Sequence, residues 1–301
     1  MTQLSGQRSP LARFFLTPDE PRLRAGWRLL AQTAIMITTI MFFVIPLTLV
    51  QWLFPQVDLF LFDPIVTGLA VIISVYLARR FFDRRSFISL GLRWDRQAVR
   101  DILVGICISA FTMGLVFVIE LSTGWLEIQG FGWETEPANI LIPNFVFWSM
   151  SFLAVGFYEE LLSRGYHLQN MEEGLKTPLA IFFSSFVFGL WHIGNPEFNW
   201  AAALGIAAAG LFMAFAYLRT RQLWLPIGLH IGWNIFEGPI FGFPVSGLET
   251  VRLLNHQVNG PTLITGGAFG PEAGLVVLPA MAVGALMVYW YTRKPYKEKD
   301  A

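Results

Sequence analysis

The 301-residue chain has a single cysteine, Cys107, so it has no means of forming an intrachain disulfide framework or a cysteine zinc site. Charge is scarce as well: 14% of the residues are charged against 54% hydrophobic, a balance that excludes an ordinary soluble domain. No internal repeat, low-complexity tract, nucleotide-binding glycine pattern or soluble second domain is visible. The alternation of apolar and polar residues that marks a membrane barrel strand is missing too. A cleaved leader is not expected, because the first apolar run starts near residue 29 and exceeds the roughly 7–15 residues of a signal-peptide core.

What the sequence has instead is unbroken apolar blocks. About 18 or more such residues are needed for a helix to cross some 30 Å of hydrocarbon. Candidates lie near residues 29–53, 59–78, 102–122, 142–163, 178–194, 200–218, 223–241 and 274–292. The expected fold is therefore all-α, a polytopic membrane bundle of about eight transmembrane helices in one domain. Residues 1–28 are expected as a cytoplasmic amino-terminal segment, 29–292 as the transmembrane domain and 293–301 as a cytoplasmic tail.

Basic residues set the expected orientation, because lysine and arginine collect in cytoplasmic loops. Arg8, Arg13, Arg22, Arg24 and Arg28 precede the first block, and seven arginines from Arg79 to Arg100 follow the second. Arg164, Lys176, Arg219, Arg221 and the tail from Arg293 continue the pattern in alternate loops, leaving Arg252 as the exception. Both termini are expected in the cytoplasm, with the plasma membrane as the location. Residues 242–273, rich in glycine and proline, read as an irregular surface loop or as a lid. The aromatic stretch 124–133 suits the headgroup level.

Ionisable residues inside a spanning helix cost a few kcal/mol each on insertion scales, so they are functional candidates by default. Three blocks supply them: Glu159, Glu160 and Arg164 in the fourth, His192 at the end of the fifth, His230 and Asn234 in the seventh. Successive helical residues point about 100° apart, so the adjacent glutamates take different directions. Glu160 and Arg164, four apart, are expected to pair and to position. Glu159, without a local partner, is the expected general base. His230 and Asn234 share a helix face and suit stabilisation of a developing oxyanion, while His192 helps Glu159 hold water. Zinc stays open as a cofactor, with Glu159, His192 and His230 as candidate ligands. Glu237 is expected in an interfacial role, and His167 and His256 in loops without chemistry.

The three segments Glu-Glu-x-x-x-Arg (159–164), Phe-x-x-x-His (188–192) and His-x-x-x-Asn (230–234) occur in order and together resemble the CPBP intramembrane protease family, named for CAAX proteases and bacteriocin-processing enzymes. The resemblance covers roughly residues 140–241 and implies a protease-like core there. It places water activation on Glu159 and His192 and an oxyanion hole on His230 and Asn234, with Glu160 and Arg164 completing the first motif. Members are labelled metalloproteases, although a metal-free glutamate mechanism has also been argued. The implied activity is peptide-bond hydrolysis near the cytoplasmic membrane face, with water arriving from the cytosol. Membrane lipid and a protein or peptide substrate are the expected partners, and nucleic acid is not. A non-catalytic immunity or scaffold protein of the same fold is the alternative, and an ion-coupled transporter is a more distant one.

Depth raises a conflict in this reading. At 1.5 Å per residue, His192 lies about 21 Å beyond Pro178, whereas His230 is only about 10 Å into its block and Glu159 looks comparably shallow. A fifth helix that protrudes into the cytosol, or tilts steeply, is the expected remedy.

Overall fold

A computed structural model describes residues 9–18, 20, 22–56 and 62–293. Eight principal helices follow one another: α1 (Ala25–Leu53), α2 (Asp63–Leu77), α3 (Arg96–Ser122), α4 (Ala138–Glu160), α5 (Thr177–Leu190), α6 (Trp200–Thr220), α7 (Trp224–Ile235) and α8 (Val277–Tyr291). Among the described residues, six helical stretches are long and apolar enough to cross a membrane, and α8 is a shorter apolar helix. The molecule is an all-α polytopic membrane protein, as its composition demands. Large apolar side chains such as Phe42, Trp52 and Leu204 stand on its outside, where hydrocarbon rather than water is their solvent.

Helix α7 is the axis of the bundle, with every residue from Leu225 to Asn234 buried. Glycines let it lie directly against α3. A Cβ on Gly105 would stand 2.5 Å from the Leu229 nitrogen, one on Gly228 2.3 Å from the Ile102 carbonyl oxygen, and one on Gly232 2.7 Å from the Ile106 Cα. The Ser109 hydroxyl donates to the Leu229 carbonyl at 2.5 Å across the same seam. Small residues permit such close backbone approach between membrane helices, where packing rather than water drives association.

The arginine-rich ends of the helices gather at one end of the molecule. Arg28 is fully buried and donates to Asp83 at 3.0 Å and to Glu173 at 2.5 Å, while Arg79 pairs with Asp83 at 2.9 Å. Arg85 reaches Glu173 at 2.8 Å and Arg221 reaches Glu172 at 3.0 Å. At the opposite end, β1 (Leu126–Phe131) pairs antiparallel with β2 (Leu254–Val258), Leu126 facing Val258, with a register shift between Ile128 and Gly130.

Several expectations change here. The glycine- and proline-rich loop is not irregular throughout, because part of it is β2, and the aromatic stretch before α4 supplies β1. The first helix starts at Ala25, inside the segment expected to precede it. The fourth does not end near residue 163: it runs on through a wide turn, Leu161–Leu168, and a last segment, Gln169–Gly174. His167 thus lies in a helix and is buried, not in a loop, with its Nε2 3.3 Å from Gln32 Oε1. His256 lies in β2 and is also buried. Glu237 is fully buried rather than interfacial.

Candidate active site

The extension of α4 removes the depth conflict between Glu159 and His192. Fifteen residues separate Glu159 from Gly174, and fifteen separate Thr177 from His192, so both stand about 22 Å from the turn that joins their helices. His192 follows α5 on a tighter 3-10 turn, Trp191–Gly194. Its Nδ1 lies 3.0 Å from the Phe188 carbonyl oxygen.

Glu160 is fully buried, and Arg164 one turn later donates to its Oε1 at 2.7 Å. The second guanidinium arm donates to the Gly210 carbonyl at 3.0 Å, and the guanidinium carbon sits 4.4 Å from the Phe188 ring centre. A buried charge is tolerable only when paired and hydrogen-bonded, and here two helices and an aromatic face surround it. The same Glu160 oxygen lies 2.9 Å from His230 Nδ1, while His230 Nε2 is 3.7 Å from Glu159 Oε2. His230 therefore stands between the two adjacent carboxylates. The sequence pattern groups Glu159 with His192 and His230 with Asn234; the direct contacts instead run Arg164, Glu160, His230, Glu159.

Glu159, His192, His230 and Asn234 line one cavity of about 300 Å³. Sequence reading missed other residues there. Glu272 accepts at Oε2 from the Ser246 backbone nitrogen at 2.8 Å and from the Ser246 hydroxyl at 2.6 Å, and both residues line the cavity. Asn195, three residues past His192, lines it too and donates to the Ser246 carbonyl at 2.9 Å. Asp63 and Thr67 contribute from the first turn of α2. Twenty-six residues separate Ser246 from Glu272, so no local spacing announces the pair; the one available signal is a carboxylate within a glycine-rich, largely apolar loop.

His192 directs Nδ1 to a carbonyl of its own helix and His230 holds Nδ1 on Glu160, contacts that fix each ring and leave its Nε2 to other partners. Among the described residues no group of three or more histidine, cysteine, aspartate or glutamate side chains converges to hold a metal ion.

The cavity also lies differently from the expected cytosolic approach. Its walls extend from His230 toward the helix ends opposite the arginine-rich ones, to Asp63, Phe147, Ser246 and Glu272. Beneath Glu160 the chain is packed: Leu161, Leu162, Tyr166, Leu168, Leu223 and Ile227 are all buried.

Residues 141–236, which hold all three motifs and with them Glu159, His192, His230 and Asn234, match the family model described as "Type II CAAX prenyl endopeptidase Rce1-like". The match supports the resemblance to the CPBP/CAAX protease family and covers about a third of the chain. A curated relative, "Putative membrane peptidase YdiL" of Bacillus subtilis (strain 168), is 26% identical over 193 residues, 62% of this chain and 69% of that protein. No solved structure matches the chain significantly. The family segment ends at Phe236, so Ser246 and Glu272 come from outside it.

Proposed function

We propose that this membrane protein is an intramembrane endopeptidase that hydrolyses a peptide bond with Glu159 as general base. The observation that carries the reading is the convergence of Glu159, His192, His230 and Asn234, from three helices or their ends, on one cavity. In the proposed reaction Glu159 takes a proton from water, helped in orienting it by His192, and the water oxygen attacks the carbonyl carbon. The carbonyl oxygen becomes an oxyanion that accepts hydrogen bonds from Asn234 and His230. Glu159 then returns its proton to the amide nitrogen as the carbon–nitrogen bond breaks, leaving a new carboxylate and a free amine.

Glu160 and Arg164 act through His230. With Nδ1 fixed on Glu160, the ring directs Nε2 toward Glu159 and the cavity. Donation to an oxyanion from Nε2 then requires the doubly protonated ring, and carboxylates on both sides of it suit that form.

Membranes holding wild-type or Glu159→Gln protein are to be compared for new protein carboxyl termini. The expected result is equal insertion and loss of cleavage by at least ~10²-fold in the variant, the lower range for removal of a general base. An undiminished set of termini in Glu159→Gln removes the assigned base. Absence of any such termini from the wild type favours a non-catalytic member of the same fold.

A further inference from the structure

The arginine-rich ends and the cavity walls divide the molecule into two unlike halves. On the arginine side, Arg28, Arg79, Arg85 and Arg221 are held by Asp83, Glu173 and Glu172. Between that layer and the site lies a stopper of fully buried side chains, Leu161, Tyr166, Leu168 and Leu223, with Arg164 almost as buried above them. No cavity-lining residue comes from the stretch 161–187 or from 214–229. Water or peptide arriving from the arginine side therefore meets packed side chains at interior density, which admits neither without rearrangement.

The other direction is lined. Asp63, Pro64 and Thr67 belong to the first turn or so of α2, the end away from its arginines, and Phe147 and Trp148 to the first half of α4, also away from Arg164. Ser246 and Glu272 come from the α7–α8 connection, which leaves the bundle on that same side together with the β1–β2 sheet. Lining carboxylates here are Asp63, Glu159 and Glu272, and the lining includes no lysine or arginine.

We infer that the peptide enters from the side opposite the arginine-rich loops, passing between the start of α2 and the first half of α4. With those loops in the cytoplasm, as their basic content directs, the segment cut is an extracytoplasmic, membrane-proximal stretch of a membrane-associated polypeptide. The aromatic and acidic walls suit residues around the cleaved bond that are apolar or basic, and disfavour acidic ones, since like charges in a cavity of low dielectric repel strongly. The substrate class rests on the proposed endopeptidase activity; the direction of access does not.

Access is tested by single-cysteine labelling in a Cys107→Ser background, with Thr67→Cys in the proposed entrance and Arg85→Cys as a marker of the arginine side. A membrane-impermeant maleimide added to intact cells is expected to label Thr67→Cys and to leave Arg85→Cys untouched until the membrane is inverted. A Thr67→Cys protein that reacts only in inverted vesicles, or only with a permeant maleimide, overturns the route; Arg85→Cys labelled on intact cells overturns the orientation. Labelling is repeated in Glu159→Gln protein, so the route is read with no dependence on hydrolysis. Cleavage is then followed on single-span reporters whose cleavable segment lies on one or the other side of the membrane. The extracytoplasmic reporter alone is expected to be cut, at least tenfold faster with flanking lysines than with flanking aspartates. Cutting of the cytoplasmic reporter, or equal rates for the two flanks, overturns the substrate class. Expected labelling without cleavage of any reporter leaves the route standing and strikes the endopeptidase reading instead.

Discussion

At the scale of single residues, the site depends on a charge that is expensive to strand. Glu160 is fully buried and its contacts are the Arg164 guanidinium and the His230 ring. Arg164→Ala leaves a buried carboxylate without its cation, a change that costs roughly 3–5 kcal/mol when one member of a buried pair is removed. Thermal unfolding in detergent is expected to show this as a marked loss. Arg164→Lys keeps the charge but has no planar fork to serve both Glu160 and the Gly210 carbonyl, so it is expected to recover part of the stability. If both variants melt like the wild type, the pair has no structural role. Glu159 differs: it is partly exposed to the cavity and holds no arginine, so Glu159→Gln is expected to remove activity while leaving the melt nearly unchanged.

At the scale of elements, the position of His230 and Asn234 is set from behind. Gly228 and Gly232, four apart, face α3, while His230 and Asn234, also four apart, line the cavity on another side of α7. Gly105 lies on this seam from the α3 side, its hydrogen occupying space that a methyl would share with two backbone atoms of α7 at 2.5 and 2.7 Å. Gly105→Ala is expected to push α7 away by a fraction of an ångström to an ångström. Displacement of about 1 Å in a catalytic array costs on the order of 10²-fold. Activity is therefore expected to fall further than stability, and a variant with full turnover and an unchanged melt removes this account of how the helix is registered. That α3 and α7 are helices is legible from their apolar runs; that glycine faces glycine across them is not, because no local pattern records which helices become neighbours.

At the scale of the whole molecule, the two-stranded sheet of β1 and β2 ties the α3–α4 connection to the α7–α8 connection, and His256 lies at its buried face. The ring centre of His256 is 4.6 Å from that of Phe243 and 6.4 Å from that of Phe117. Burial, with the neighbouring Arg252 charge adding to it, pushes the imidazole down from 6.5 to about 4. The unfolded chain then takes up a proton on this residue near pH 6.5 while the folded sheet does not until about pH 4. Stability contributed here is complete above pH 6.5, falls progressively below it, and is fully lost once the folded histidine is itself protonated. Hydrogen exchange of the amides in 126–131 and 254–258 is expected to quicken between pH 6.5 and 4 after correction for intrinsic rates, and His256→Phe is expected to flatten that dependence. Protection that is constant over the interval shows that the ring is not buried as a neutral group.

The sequence alone determined the solvent and singled out the candidate residues. Scarce charge and unbroken apolar runs require lipid around helices, and Glu159, Glu160, Arg164, His192, His230 and Asn234 are conspicuous because ionisable and amide groups are costly in such runs. The spacing of four that pairs Glu160 with Arg164 is local, so it too was readable. The tertiary structure decided what no spacing encodes: that Glu160 rather than Asn234 holds His230, that Ser246 and Glu272 come back from beyond α7 to line the cavity, and that α4 runs on to Gly174 and so brings Glu159 level with His192. It also placed packed apolar side chains on the arginine side of the site and a lined cavity on the other. The physical reason is that helix identity follows from short-range periodicity and transfer free energy, whereas the choice of neighbours, and with it the direction in which a cavity opens, follows from contacts between residues far apart in the chain.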